Sequence, residues 1–172
     1  MKLIIFFSTV LFCLLVLAAC QRKIATQAPA LPTDFFTLLQ NAGSRYDSAF
    51  ARKLGADEHG MKKYVMAYLK RGPNRSQDAA TAAQLRKAHL DNIDRLAAAG
   101  KLVLAGPFLD DGEVRGIYIF DVTSLEEARQ LTESDQAIQA GRLIVELHPW
   151  YGSAVLPLIT PLHQRLGKNQ RG

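Results

Sequence analysis

Four short apolar runs, interrupted by two helical stretches in a set order, constrain this chain more than any other feature. Tyr64 to Leu69 is a run of strand type, and Gly72-Pro73-Asn74 is a turn. Ser76 stands where it can cap a long helix running to about Ala99, with Gly100 as the residue beyond its end. Leu102 to Ala105 and Arg115 to Val122 are strands, and Asp111-Gly112 between them is a hairpin signal. Ser124-Leu125-Glu126-Glu127 is a capping box that opens a second helix. Asp135 to Ala140 is a further helical turn closed by Gly141, and Leu143 to Trp150 is the last strand.

The order β-α-β-β-α-β predicts an α+β, ferredoxin-like fold: a mostly antiparallel sheet with both helices on one face. The strands are apolar on both sides, with Val65, Ala67 and Leu69 set against Tyr64, Met66 and Tyr68, and Ile117 and Ile119 against Tyr118 and Phe120. A solvated face would read polar, so the helix-free face needs a cover. A second copy of the sheet is the simplest one and predicts a symmetric homodimer. Extra N-terminal helices are the rival cover.

The flanks divide the chain further. Residues 1–19 hold one charge, Lys2, then the near-continuous apolar run Leu3 to Ala19, the pattern of an export signal. The run ends Leu17-Ala18-Ala19-Cys20, which resembles the lipobox of bacterial lipoproteins. That resemblance implies lipidation of Cys20, a membrane contact through the N-terminal lipid, and, because Gln21 follows, the periplasmic face of the outer membrane. Residues 20–33 hold Pro29 and Pro32 and form a tether of at most roughly 40 Å. Residues 34–60 are an N-terminal helical extension, broken near Asn41-Ala42-Gly43-Ser44. The main domain is 61–152, and the tail, 153–172, contains Pro157 and Pro161 and cannot be one regular helix.

Cysteine and charge exclude several classes. Cys13 leaves with the signal and Cys20 is consumed by lipid, so thiol catalysis, disulfides and zinc-finger chemistry drop out. Residues 34–164 carry 15 basic and 16 acidic residues, so the basic balance belongs to the arms. A nucleic-acid partner, which calls for a concentrated basic surface, is not expected. There is no phosphate loop, nucleotide fingerprint, repeat or nucleophile elbow.

At about 100° per residue, His89 shares an arc of the first helix with Leu85, Ile93, Leu96 and Ala97, and so points toward the sheet. It is either a core histidine bonded to a carbonyl or a Tyr hydroxyl, or a titrating group with a carboxylate partner. Asp135 stands at a helix start, where it can be an N-cap; the topology also lets it meet His89 and raise the imidazole's basicity. Tyr68 and Tyr118 are core aromatics or pocket walls, and Gly106-Pro107 is first a turn. Arg86 lies one position off the apolar stripe, either snorkelling or reaching an anionic ligand. Glu146 and His148 share a strand face, but two ligands make no metal site. His59 and His163 lie in the arms and are expected to be solvated.

The stretch from about Met61 to Gly152 resembles the YCII-related (YciI-like) family. The matching pieces are Tyr64 to Leu69, His89-Leu90-Asp91-Asn92-Ile93, Gly100 to Pro107, Glu126-Glu127-Ala128, Asp135-Gln136-Ala137, Ala140-Gly141 and His148-Pro149-Trp150. The resemblance implies a dimeric α+β barrel, with His89 and Asp135 as the catalytic pair. It also implies Gly106 and Pro107 as pocket lining. The family's usual Asp-Pro is Asp135-Gln136 here, which alters the turn and keeps the carboxylate. The implied chemistry is lyase- or isomerase-type proton transfer on a small, for example aromatic, ring compound, with no metal and no organic cofactor.

Overall fold

The computed structural model describes residues 46–167. The export signal, Cys20, the tether and the break near residues 41–44 lie outside the described residues. The elements are α1 (Ser48–Leu54), β1 (Met61–Arg71), α2 (Ala79–Ala98), β2 (Leu102–Pro107), β3 (Val114–Phe120), α3 (Leu125–Glu133), α4 (Gln136–Gln139) and β4 (Leu143–Ser153). A 3-10 turn (Leu156–Leu158) and α5 (Ile159–His163) follow. The sheet runs β2-β3-β1-β4, and every neighbouring pair is antiparallel. β3 inserts between β1 and β2, as the βαββαβ order requires. Among the described residues no helix is long and apolar enough to cross a membrane.

Local chemistry explains the boundaries and corrects two expectations. Ser76 does not cap α2. The chain stays irregular through Gln77 because Gly72 and Asn74 donate to Arg142 and Gly141 across the sheet end (2.9 and 3.0 Å). Asp78 is the cap instead, accepting from the Thr81 N–H at 3.0 Å and its hydroxyl at 2.7 Å. Ser124 does cap α3, accepting from the Glu127 N–H at 3.2 Å. The reciprocal half of the box is diverted, because the Glu127 carboxylate pairs with Lys101 at 2.8 Å. β1 and β4 are longer than their apolar runs, at eleven residues each, because they pair with one another from Met61↔Ser153 to Arg71↔Leu143.

The main core lies between the helices and the sheet: Val65, Ala67 and Leu69 from β1, Tyr118 and Phe120 from β3, Leu96 from α2 and Ala128 from α3. Truncating a side chain as enclosed as Leu96 costs roughly 2–5 kcal/mol in such settings. On the opposite face Tyr64, Val103 and Ile119 are buried with Met66, Trp150 and Leu156. Leu156 belongs to the tail, so part of the cover comes from a segment expected to be neither dimer partner nor N-terminal helix. The described part of the N-terminal extension braces that tail. Leu54 packs with Ala154 and Leu158, and the Tyr151 hydroxyl donates to Asp57. Farther along the same face Ile144 is 45% exposed.

Candidate active site

Two elements and one turn bring the site together. The second half of α2 is pinned to the sheet by Leu96, which fixes the rotation of the helix and turns His89 inward. α3 ends at Ser134, and Asp135 then adopts an extended conformation to cap α4. A polar clamp holds the two in register. Arg95 donates to Asn92 Oδ1 at 2.6 Å and to the Ser134 hydroxyl at 2.8 Å, and Ser134 lies 3.1 Å from Asn92 Oδ1. Asn92 is one turn from His89, and Ser134 adjoins Asp135.

Within this frame His89 Nδ1 stands 2.7 Å from Asp135 Oδ2. The other oxygen, Oδ1, accepts the Ala137 N–H at 2.8 Å, so Asp135 is both cap and partner. Asp135 is wholly buried, while the His89 side chain retains 17% exposure. Burial works against the charged carboxylate, but the His89 bond and the N–H groups of Ala137 and Ile138 outweigh it, and Asp135 titrates below its ordinary value of 3.8. An ionised Asp135 accepts, so Nδ1 donates to it, and in the neutral form of the ring the lone pair is then on Nε2.

Tyr118 closes one side. Its ring lies nearly parallel to the imidazole, at 21° and 6.1 Å between centroids. Its hydroxyl is 3.4 Å from both ring nitrogens. A point equidistant from both lies off the in-plane lone pair of Nε2, so that lone pair stays available. Burial, with the Asp135 charge beside it, pushes the Tyr118 phenol above its ordinary range, and it remains a neutral hydroxyl.

The other candidates are not all gathered here. Tyr118 pairs with Ala67 while Tyr68 pairs with Ile117, so the two tyrosines occupy opposite faces and cannot wall one cavity within a single chain. Tyr68 packs edge-on against His148 at 5.5 Å. Glu146 accepts from His148 at 2.8 Å and from Lys70, and among the described residues no three His, Cys, Asp or Glu side chains are grouped as metal ligands would be. Gly106 and Pro107 end β2, opposite Ile117 and Gly116. Arg86 is exposed on α2.

A cleft of about 360 Å³ opens elsewhere, beside edge strand β2, between Ile93 and Ala97 of α2 and Ile159 and His163 of α5. None of Arg86, Tyr68, Gly106, Pro107 or Tyr118 lines it, and His163, expected to be solvated, does. Ile93 lies one turn beyond His89, so the cleft runs off the same helix face.

A model of the YCII-related domain matches residues 64–151, about half of the chain. An uncharacterised protein of Bacillus subtilis, YjpA, is 32% identical over 62 residues, covering 36% of this chain and 71% of that protein. A solved structure of 5-chloro-2-hydroxyhydroquinone dehydrochlorinase from Burkholderia phenoliruptrix, in complex with 2,5-dihydroxybenzoquinone, is 22% identical. It covers 51% of this chain and 92% of its own, with a TM-score of 0.41.

Proposed function

This chain belongs to the YCII-related family, and we propose that it is a small-molecule enzyme in which His89 is the general base and acid and Asp135 orients it. The observation that carries this reading is the 2.7 Å contact between His89 Nδ1 and a buried, ionised Asp135, which leaves Nε2 as the nitrogen of a partly exposed ring that Asp135 does not occupy. Nε2 takes a proton from a ring compound that approaches the exposed edge of the imidazole. The imidazolium that forms is stabilised by Asp135 through the proton it already shares. Returning that proton to a second atom completes an isomerisation; loss of an anion from the neighbouring atom completes an elimination, with the proton then passing to solvent. Neither route needs an oxidant or reductant. Positioned acid-base groups of this kind are worth about 10²–10⁴-fold in rate.

The same proposal includes a lipid tether at Cys20, in the cell envelope, and a homodimer through the sheet face that the tail leaves uncovered. The exposure of Ile144 on that face, at 45%, supports the dimer. Metabolic labelling with a radioactive fatty acid should mark the wild type and leave Cys20→Ala unlabelled.

The test is a screen of hydroxylated aromatics and unsaturated lactones, following proton exchange with deuterated water. Wild type should turn over a member of the set, and His89→Gln should lose about 10²-fold or more at unchanged far-UV circular dichroism. Turnover by His89→Gln at the wild-type rate would end the catalytic reading. The cleft beside β2 favours a second reading, a small-ligand-binding protein, for which His89→Gln would leave ligand affinity untouched.

A further inference from the structure

Four guanidinium groups gather at the sheet end where β1 finishes and β3 and β4 begin. Arg71 closes β1, Arg75 lies in the loop before α2, Arg115 is in β3, and Arg142 precedes β4. Their backbone is stitched together: Arg71 N–H donates to Glu113 at 2.8 Å, Gly72 N–H to Arg142 at 2.9 Å, and Asn74 N–H to Gly141 at 3.0 Å. The Asn74 side chain adds a bond to Ala140 at 2.9 Å.

Their bonding leaves most of their donors unused. Arg75 donates one nitrogen to the Arg142 carbonyl at 3.3 Å, and Arg71 one to the Asp111 carbonyl at 3.5 Å. Arg142 donates one to Gln77 Oε1 at 2.7 Å. That bond fixes the amide's orientation, and Gln77 Nε2 is then a buried donor without a partner. Arg115 is spent on the hairpin, contacting Asp110, Gly112 and Asp111. Asp111, 3.5 Å from Arg115 with its side chain 98% exposed, is the one carboxylate paired with any of the four among the described residues. Arg71, Arg75 and Arg142 have none. Partial loss of hydration first, then the charges of Arg142, Arg71 and Arg115, lower the pKa of the exposed Arg75 from its ordinary value.

We propose that Arg71, Arg75 and Arg142, with the Gln77 amide, bind a phosphoryl group, carried by a soluble compound or by a lipid headgroup. Planar guanidinium forks suit oxyanions. Three forks and an amide outnumber the two oxygens of a carboxylate and match the three terminal oxygens of a phosphate ester. A dianion there would satisfy the orphaned Gln77 donor and neutralise the crowded charge together.

The full chain in detergent should bind inorganic phosphate saturably by isothermal titration at constant ionic strength. Arg75→Gln and Arg142→Gln should each weaken that binding about tenfold or more, while Arg86→Gln leaves it unchanged. Arg75 is exposed and bonded only to a carbonyl, so its variant tests the site even if Arg142→Gln folds poorly. Flotation with phosphatidylcholine vesicles, with and without phosphatidic acid, separates the sources. A phosphatidic acid gain that Arg75→Gln loses assigns a headgroup; free phosphate binding without that gain assigns a soluble ligand. The proposal fails if phosphate does not saturate and phosphatidic acid adds nothing, or if Arg75→Gln behaves as wild type in both assays.

Discussion

Asp135 serves two groups with one carboxylate, and its titration ties the site to stability. Its folded pKa lies below the ordinary 3.8, so as pH falls the unfolded chain takes the proton first. The stabilisation is full above about pH 4 and is lost as pH drops through the depressed folded value. Asp135→Asn keeps an oxygen for the Ala137 N–H but loses the charge on His89. Urea denaturation should show a loss of about 2 kcal/mol near neutrality and a shallower acid limb; parallel pH curves for the two proteins would contradict the assignment. His89 was legible as an inward-facing residue from its 100° spacing. Asp135 was legible as its partner only as a meeting that the βαββαβ topology allows, since it is 46 positions away and its local signal is that of a helix cap. The family resemblance pointed to the pair, and the folded chain supplies the distance.

At the level of elements, caps and turns carry the boundaries, and one turn shows a constraint that propensity does not. A Cβ at Gly72 would lie 2.2 Å from the Gly141 carbonyl oxygen, because the two turns are pressed together. Gly72→Ala should cost about 3 kcal/mol, against about 1 kcal/mol for Ser124→Ala at the α3 cap and within about 0.5 kcal/mol for Ser76→Ala. Thermal melts of the three variants rank them. A Ser76→Ala loss larger than that of Ser124→Ala would restore the cap expected there. All four expected strands, the long helix and the Asp135 turn are present. The ends differ because strand length is set by the pairing partner, and β1 and β4 extend one another beyond their apolar runs.

For the molecule as a whole, the tail is the unforeseen part. Leu156 joins Tyr64 and Trp150 on the helix-free face, and Leu54 holds the tail from behind. Trp150 is the single tryptophan, so Leu156→Ala should shift its emission to the red by wetting that end of the face. Ile144, 45% exposed on β4, lies toward the end that the proposed second copy would cover. Light scattering of the protein expressed from Gln21 onward should give twice the chain mass, and Ile144→Glu should return it to the chain mass at unchanged circular dichroism. A wild-type monomer would remove the dimer from the proposal.

The amino-acid sequence by itself determined the order of elements, most of their caps, the apolar character of both sheet faces and the inward turn of His89. Those features come from interactions between residues a few positions apart, where helical and strand periodicity act. The tertiary structure decided which carboxylate meets the imidazole, which side of the sheet each tyrosine occupies, what covers one end of the free face, and that the segments carrying Arg71, Arg75 and Arg142 are bonded together at one sheet end. These contacts depend on strand register and on how helices seat against the sheet, which are settled by the packing of the whole chain rather than by any stretch of it.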